Sequence, residues 1–449
     1  MKLGDEYTLT IEKMTNLGLG LARTNNFVIF VKNACPKDKV KIKITKVNKS
    51  YANAEIVEII EPSPYRIKPF CPMFSVCGAC QLQFIHYNYQ LELKQQIVRD
   101  ALEKIGGIGA DIPLPIPSPQ TQNYRHKIQY PISQTKNSKK ILAGYYKPAT
   151  HEIVNIKYCP AQPEICDSII EFIRQNAAEC NISGYNEKYH CGDLRHVVIR
   201  HSSFNAENLV ILVVNDSEIK NKYTNLAKLI FENFKEVNGV CLNFNNRKTN
   251  VILGARTVCI KGSDTVKEKI LDKVFVIGAD TFFQINPKSA ENIFKYVKDY
   301  ISRNFEKPLV LDAYAGISAF GICVSDNARK VVSIEENEKS VELAKQSAVL
   351  NNIENIEFHS GDAGEYFSEE KRKFEVIILD PPRKGCSEQS LEYALKLCSD
   401  TIIYVSCNPA TLARDLKYLK EKGCEIVSIQ PFDMFCHTYH IENVAIIKV

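Results

Sequence analysis

Long apolar runs are missing from this chain of 449 residues. No stretch of about 18 uninterrupted apolar residues occurs, which removes the sequence signal of a membrane-spanning helix. The opening MKLGDEYTLTIEK lacks the apolar centre of a secretory leader, so a cytoplasmic protein without a membrane partner is expected. Charge of one sign is also scarce: 57 Lys and Arg stand against 52 Asp and Glu, a net +5 that does not by itself imply a nucleic-acid partner. Internal repeats and low-complexity tracts are absent. So is the G-x-G-x-x-G turn that cradles pyrophosphate, which removes ordinary dinucleotide binding.

What is present is an ordinary globular composition, 45% apolar, long enough for two to four domains each with a core. Sixteen cysteines in a long intracellular chain point to metal binding or catalysis rather than a disulfide framework, so their clustering matters more than their number. Basic charge is concentrated at one end. Residues 1 to 50 hold ten Lys or Arg against four Asp or Glu.

In chain order, residues 5 to 60 read as short strands, EYTLTIEKM, FVIFVKN and KVKIKITKVNKSYANAEIVEII, broken by Gly18, Gly20, Asn25, Asn26 and Pro36. The period-two KVKIKITKV places Val40, Ile42, Ile44 and Val47 near one face and lysines on the other. A small β-barrel of OB-like size follows, its lysines either a solvated face or an RNA-binding one. Beyond the linker EPSPYRIKP, Cys71, Cys77 and Cys80 fall within ten residues, and Cys159 in KYCPAQ repeats the Cys-Pro context of Cys71. Four thiolates close a cage for zinc or an iron-sulfur cluster, and C-x5-C-x2-C with a distant C-P is closer to cluster ligation than to paired zinc knuckles. Residues 88 to 107 have helical periodicity with a glycine stop. The proline-rich 113–120 is an extended connector, and NYRHKIQ follows with Tyr124, Arg125, His126 and Lys127, an RNA contact or simply a charged strand start. From 128 to about 275, KIQYPI, KILAGYY, HEIVNIK, LRHVVIRH, NLVILVV, NGVCLNF and TNVILGA read as strands of an antiparallel α+β domain. From 276 the pattern becomes regular strand and helix alternation with seven strands, the last two too close for a crossover helix and therefore antiparallel.

The chemistry lies in this last part. Its first strand-to-helix turn, Asp312-Ala-Tyr314-Ala-Gly316-Ile-Ser318, can approach a ligand but is too poor in glycine to cradle phosphates. Glu335 ends the next strand, where an acid can bind ribose hydroxyls, and Asp362 and Asp380 end the third and fourth. Asp312, Glu335, Asp362 and Asp380 thus form an acidic rim suited to a cationic, ribose-bearing ligand, S-adenosylmethionine. Asp380 opens DPPR, which has Arg383 where base-amino methyltransferases need a stacking aromatic. Cys407 ends the strand TIIYVS, where it serves either as a nucleophile or as a small apolar filler. Methyl transfer to C5 of a pyrimidine needs a thiolate at C6 and then a base for the C5 proton, and Glu442 in HIEN is the best-placed acid. The thiol must also be made acidic, a task for Arg383 or a backbone amide.

CPMFSVCGAC with the later YCP, FFQIN, DAYAG, SIEE, LDPPRKG, SCNPATLARD and DMFCHTYHIEN, in this order, resemble the bacterial RNA uracil-5-methyltransferases, in particular the 23S ribosomal-RNA type with a TRAM domain and a 4Fe-4S cluster. The resemblance implies Cys71, Cys77, Cys80 and Cys159 as cluster ligands. It implies Gln284, Tyr314, Glu335 and Asp380, with Asp362 added, as S-adenosylmethionine contacts, Cys407 as nucleophile and Glu442 as base. Departures are Cys436, where relatives carry proline, and His126 within NYRHK. The expected organisation is a TRAM-like barrel over 1–61, a central α+β domain with the cluster over 62–275, and a Rossmann-like class I methyltransferase domain over 276–449, against which the helix near 90–105 is expected to pack. The expected protein is a monomer that methylates uridines of 23S ribosomal RNA before or during ribosome assembly. Transfer-RNA uracil or RNA cytosine methylation remain alternatives, as does a non-catalytic iron-sulfur RNA-binding protein.

Overall fold

The computed structural model describes residues 1–25, 27–135 and 140–449, so the break expected at Asn26 lies outside the described residues. Six strands, β1 (Glu6–Thr10), β2 (Lys13–Met14), β3 (Gly20–Thr24), β4 (Phe27–Val31), β5 (Lys39–Val47) and β6 (Tyr51–Glu61), form one sheet in the order β1-β5-β6-β4-β3-β2. Alternation along β5 buries Val40, Ile42 and Ile44 in a small core. Val47, expected on the same face, is exposed: a register shift between Ile44 and Lys46 sets it opposite Ala52, but it is the last residue of β5. Gly20 opens a strand rather than breaking one, since a Cβ there would lie 2.7 Å from that of Ala34. Two lysines of β5 meet carboxylates, Lys39 with Glu61 at 2.6 Å and Lys41 with Glu6 at 2.8 Å.

Helix α1 (Tyr87–Ala101) continues as a π-helical turn over Leu102–Gly106 and stops at Gly107, whose φ of +61° is left-handed. Its Val98 and Leu102, with Ile108 and Ile112 beyond, enter the core of the C-terminal sheet. Its Lys94, fully buried, pairs with the equally buried Asp433, which also accepts the Tyr87 hydroxyl at 2.7 Å. The connector after α1 is extended, and Ile116 bridges Phe432.

The central sheet comprises β7 (Lys127–Gln134), β8 (Ile141–Ala143), β9 (Leu194–His201), β10 (Asn208–Val214), β11 (Val237–Phe244) and β12 (Arg256–Gly262), ordered β12-β11-β10-β9-β7-β8, with helices α2 (Glu164–Asn176) and α3 (Asn221–Asn233). It is not wholly antiparallel. Strands β10 and β11 run parallel, because α3 between them supplies the crossover that a parallel pair requires. HEIVNIK makes one isolated bridge, Ile153 with Tyr146, and TNVILGA forms no strand. The backbone around the latter is held by side chains instead. Asn245 Nδ2 donates to the carbonyls of Val251 and Ile252, Asn243 Nδ2 to that of Gly254, and the Arg195 guanidinium to those of Asn245, Arg247 and Thr249.

A hairpin of β13 (Thr265–Ile270) and β14 (Lys273–Gly278) leads to the alternating unit. This runs α4 (Pro287–Asn304), β15 (Leu309–Ala313), α5 (Ala319–Val324), β16 (Lys330–Glu335), α6 (Glu338–Leu350), β17 (Ile356–Ser360), α7 (Ala363–Glu369), β18 (Phe374–Leu379), α8 (Glu388–Leu397), β19 (Cys398–Ser406), α9 (Pro409–Glu421), β20 (Glu425–Phe432) and β21 (Glu442–Lys448). Its sheet is ordered β17-β16-β15-β18-β19-β21-β20. The first five strands are parallel, and β21 is inserted antiparallel between β19 and β20. The order reverses between β15 and β18, so a crevice opens at their carboxyl ends. Helix α1 with its π turn packs on α9. Among the described residues no helix is long and apolar enough to cross a membrane.

Candidate active site

The apolar β-branched run of β19 is buried through Ser406, and Cys407 follows half-buried at its carboxyl end. Ser406 pairs with Asn443 of β21, so the next residue on each strand, Cys407 and Glu442, emerges at the same end of the sheet. Beyond Cys407 the chain turns into α9, capped by Asn408, whose side chain accepts from Ala410 N at 3.1 Å. The same Asn408 donates to the Arg383 carbonyl at 3.2 Å, and Thr411 donates to it at 3.3 Å. Asp415, buried on α9, accepts the Tyr404 hydroxyl at 2.6 Å and Cys386 N at 3.0 Å, while Arg414 donates to the carbonyls of Lys384 and Cys386. Gly385 has φ +74°, and a Cβ there would strike Asp415 Oδ2 at 2.5 Å. The loop after Asp380 is therefore clamped onto the helix that follows the cysteine. The sequence reading assigned no role to Asn408, Thr411, Arg414 or Asp415. Their signal was the spacing in N-P-A-T-L-A-R-D, which sets them on the first turns of one helix.

The first turn of the sheet is unusual. Tyr314, Gly316 and Ser318 all take left-handed backbone, with φ of 60°, 58° and 55°. Glu335 holds the turn, one carboxylate oxygen accepting from Gly316 N and the other from Asn337 N, both at 2.9 Å. Asp312, expected on the acidic rim, is turned inward. It is buried and accepts from Gly321 N at 2.8 Å and from the Ser318 hydroxyl at 3.3 Å, so it braces the start of α5 rather than facing a ligand. The rim is thus Glu335, Asp362 and Asp380. Asp362 also caps α7, accepting from Glu365 N at 3.0 Å. Gln284 precedes α4 in a segment fixed on both sides. The Ile285 carbonyl accepts from His126 N at 2.7 Å, and Asn286 caps α4 while donating to Ser118 and to the Met434 carbonyl.

Gln284, Tyr314, Glu335, Asp362, Asp380, Arg383, Cys407 and Glu442 all line one cavity of about 1920 Å³. Ligand pockets commonly enclose about 300–1000 Å³. The excess is walled by the central sheet, where Lys127, Gln129, Pro131 and Ser133 alternate along β7 toward the cavity. His126 does not join them; it is buried, its Nδ1 3.6 Å from Glu268.

Protons are held tightly here. Burial pushes Glu442 well above the usual carboxylate range, helped by the charge of Asp380 and opposed by Arg383. Burial raises Asp380 to about 7. The Cys407 thiol is pushed up to about 11 by burial and by the charge of Glu442, with Arg383 pulling it down. Arg383 therefore acts in the expected direction but does not by itself make a thiolate.

The remaining candidates, Cys71, Cys77, Cys80 and Cys159, lie outside this cavity lining. They approach one another: the charge of Cys80 bears on Cys77 and Cys159, and that of Cys71 on Cys77 and Cys80. Of the cysteines without ligand spacing, Cys166, Cys180 and Cys241 are buried, Cys259 is half-buried and Cys191 exposed.

Residues 86–448 match the profile of the tRNA (uracil-5-)-methyltransferase family. The chain belongs to this family. It is an S-adenosylmethionine-dependent RNA (uracil-5-)-methyltransferase, and residues 1–57 are a TRAM domain. An uncharacterized RNA methyltransferase of Clostridium tetani is 37% identical over 447 residues, covering 99% of this chain and 96% of that one. Another from Halalkalibacterium halodurans is 36% identical over 449 residues, covering 99% and 97%. The solved Pyrococcus abyssi tRNA (uracil-54, C5)-methyltransferase, in complex with S-adenosyl-L-homocysteine, is similar throughout, with a TM-score of 0.77 at 27% identity over 98% of this chain and 100% of that one. The uracil-5-methyltransferase match starts at residue 86, at the doorstep of α1, in keeping with the packing of that helix into the C-terminal core.

Proposed function

We propose that this enzyme methylates C5 of uridines in 23S ribosomal RNA, with Cys407 as the nucleophile and Glu442 as the base. The observation that carries the chemistry is the placement of Cys407 and Glu442 at adjoining strand ends in the cavity that also holds Gln284, Tyr314, Glu335, Asp362 and Asp380. The Cys407 thiolate adds to C6 of the uracil, and electron density moves to C5 as an enolate. C5 takes the methyl group of S-adenosylmethionine, leaving neutral S-adenosylhomocysteine. Glu442 removes the C5 proton, and the thiolate is expelled from C6. Gln284, Tyr314, Glu335 and Asp362 bind the methyl donor, and Asp380 faces its cationic end. The target uridine must be unstacked for the thiolate to reach C6, which favours a loop.

The ribosomal target is supported by the TRAM segment combined with the four cysteines, the pattern on which the resemblance rests. A transfer-RNA target is supported by a different observation, since the Pyrococcus abyssi tRNA enzyme matches this chain over its full length. Sequencing 5-methyluridine in the rRNA and tRNA of a deletion strain separates the two. Loss from 23S rRNA is expected; loss from tRNA alone overturns the ribosomal reading. RNA carrying 5-fluorouridine should trap a denaturant-resistant protein adduct in the presence of S-adenosylmethionine, and an active enzyme that forms none overturns the covalent mechanism.

We also propose that Cys71, Cys77, Cys80 and Cys159 hold a 4Fe-4S cluster. Among the described residues no group of three or more His, Cys, Asp or Glu is placed to hold a metal ion. The reading is supported by the spacing of the four cysteines and by the charge that Cys80 and Cys71 exert on their neighbours. A bound cluster would tie the 71–80 loop to the Cys159 segment of the central domain. Measuring iron and acid-labile sulfide per chain tests this.

A further inference from the structure

The segment between β20 and β21 carries two histidines, His437 and His440, and the structure uses them differently. His437 is bonded through both ring nitrogens, its Nε2 donating to the Thr121 carbonyl at 3.1 Å and its Nδ1 accepting from Gln90 Nε2 at 3.2 Å. It pins the segment to α1 and to the connector before the central sheet. His440 has no such duty. Among the described residues neither of its ring nitrogens has a hydrogen-bond partner, and neither is sealed from solvent. The ring is half-buried on the wall of the catalytic cavity, set there by Phe435 at 5.7 Å and Tyr439 at 4.4 Å between centroids, while its backbone N–H donates to Thr438 Oγ1 at 3.2 Å.

Its place relative to the reacting pair is fixed by the chain. Ile441 turns into the core shared by α1 and α9, and the residues on either side of it, His440 and Glu442, both line the cavity. Two residues of extended chain span about 6.6 Å. Cys407 lies across from Glu442, one residue beyond the rung of Ser406 with Asn443, so the order along the floor of the cavity is Cys407, Glu442, His440. The atoms that uracil must present follow the same order. Cys407 takes C6, Glu442 takes the proton of C5, and the next ring atom is C4 with its oxygen O4. Arg383, the other donor in this corner, faces Cys407 and Glu442 instead.

We propose that His440 is a further catalytic residue, donating a hydrogen bond from its ring to O4 of the target uracil and stabilising the enolate formed when Cys407 adds to C6. The proposal rests on the covalent reading above. In the addition the sulfur pair forms the S–C6 bond, the C5=C6 pair moves between C5 and C4, and the carbonyl pair moves onto O4. In the methyl transfer those pairs return, C5 bonds the methyl carbon, and the S–CH3 pair stays on the donor sulfur. His440 gives up no proton in either step. Its N–H meets a full negative charge only between them, and a donor aimed at charge that develops during the reaction accelerates it. The ring is suited to this, because burial and the charges of Arg383, Lys94 and Arg125 hold its imidazolium down to about 4 and leave a neutral donor at pH 7.

The test uses the full-length enzyme as wild type, His440→Phe, His440→Ala and His440→Gln. The substrates are transcribed 23S ribosomal RNA and transcribed tRNA, each made with uridine, 4-thiouridine or 5-fluorouridine. On uridine RNA the Phe and Ala variants are expected to lose about 10²–10³-fold in single-turnover methyl transfer, with affinity for S-adenosylmethionine, read by calorimetry, unchanged. Gln keeps an N–H and should recover part of the rate. Sulfur accepts hydrogen bonds weakly, so on 4-thiouridine RNA the gap between wild type and the Phe variant should shrink about tenfold or more. An equal gap on both RNAs overturns the contact with O4, and so does slowness matched by lost donor affinity. Active wild type that traps no denaturant-resistant adduct on 5-fluorouridine RNA overturns the covalent reading and the enolate with it. A wild-type adduct, with Phe and Ala variants as fast as wild type, leaves that reading standing and overturns the role of His440 alone.

Discussion

Cys407 and Glu442 lie side by side at the end of the catalytic sheet, one residue beyond the last rung that joins β19 to β21, Ser406 with Asn443. The pairing is reinforced by the Asn443 side chain, which donates to the Ser406 carbonyl at 3.2 Å. On the proposed mechanism this arrangement puts nucleophile and base beside one another at the same pyrimidine.

Replacing Glu442 with Gln keeps the shape of the site but removes the proton acceptor. Addition to C6 and methyl transfer should still occur, and elimination should stall. Turnover is expected to fall by about 10²–10⁴-fold, and a methylated RNA adduct should persist on denaturing gels with unmodified RNA. Cys407→Ala should give no adduct. Normal turnover by the Gln variant would mean that another group is the base.

The Cys407 thiol, raised to about 11, leaves little thiolate at neutral pH, so something must lower it during the reaction. Arg383 pulls it down without sufficing; in the proposed donor site the positive sulfonium, beside Asp380, is a second charge that lowers it. Alkylation of Cys407 by iodoacetamide, followed by mass spectrometry from pH 7 to 10, should show its midpoint moving down when S-adenosylmethionine is present. Neutral-sulfur S-adenosylhomocysteine should not move it. Equal midpoints with both ligands would assign the activation to the protein alone.

Donor affinity should depend on pH through Asp380, which burial raises to about 7. Below that value the group is protonated and its attraction for the sulfonium is lost; above it the carboxylate is present. Calorimetry between pH 8 and pH 6 should therefore show weaker binding as pH falls, by up to about tenfold per unit. Asp380→Asn should bind more weakly at pH 8 and show a flatter profile. A wild-type affinity independent of pH would place the sulfonium away from Asp380.

Asp415 holds the loop that carries Arg383. Asp415→Ala strands the Tyr404 hydroxyl, a buried donor, at about 1–3 kcal/mol, while Cys386 N keeps the Tyr404 oxygen as acceptor at 3.2 Å. Urea unfolding should reveal that loss, and methyl transfer should fall with it although Asp415 touches no reactant.

Lys94 and Asp433 form an ion pair with no solvent exposure on either side chain. Lys94→Met leaves Asp433 charged and buried, a loss of about 3–5 kcal/mol in denaturant unfolding. The double variant Lys94→Met with Asp433→Asn should recover much of it, since Asn can still accept from Tyr87. If the double variant is no more stable than the single one, the charge of Asp433 is not the cause.

The sequence made the alternating C-terminal sheet legible through strand runs that end in Asp or Glu, and marked Cys407 by its strand-end position. It could not show that Asp312 turns inward, because strand-end position fixes a Cα and not the direction of a short side chain that finds two donors, Gly321 N and Ser318 Oγ, behind it. Nor could it show β10 and β11 running parallel, since parallel pairing depends on how α3 crosses back. TNVILGA has strand composition, yet Asn243, Asn245 and Arg195 from β11, its end and β9 satisfy the local carbonyls and leave no ladder to form. Adjacent placement of Cys407 and Glu442, which the proposed mechanism requires, was not readable, because β21 enters the sheet out of sequence order.

The packing of α1 against α9, with Val98 and Leu102 in the C-terminal core, means that the catalytic half begins before the central sheet and resumes after it. Topologically, the central sheet is a guest in its host. Its incoming strand is pinned where Ile116 bridges Phe432, and it leaves through the short link from β12 to β13. The guest has a core of its own on one face, whereas Val198, Leu209, Ile211 and Val213 on the other join the core of the host, so substitutions on the first face leave the methyl-transfer half undisturbed and those on the second reach it.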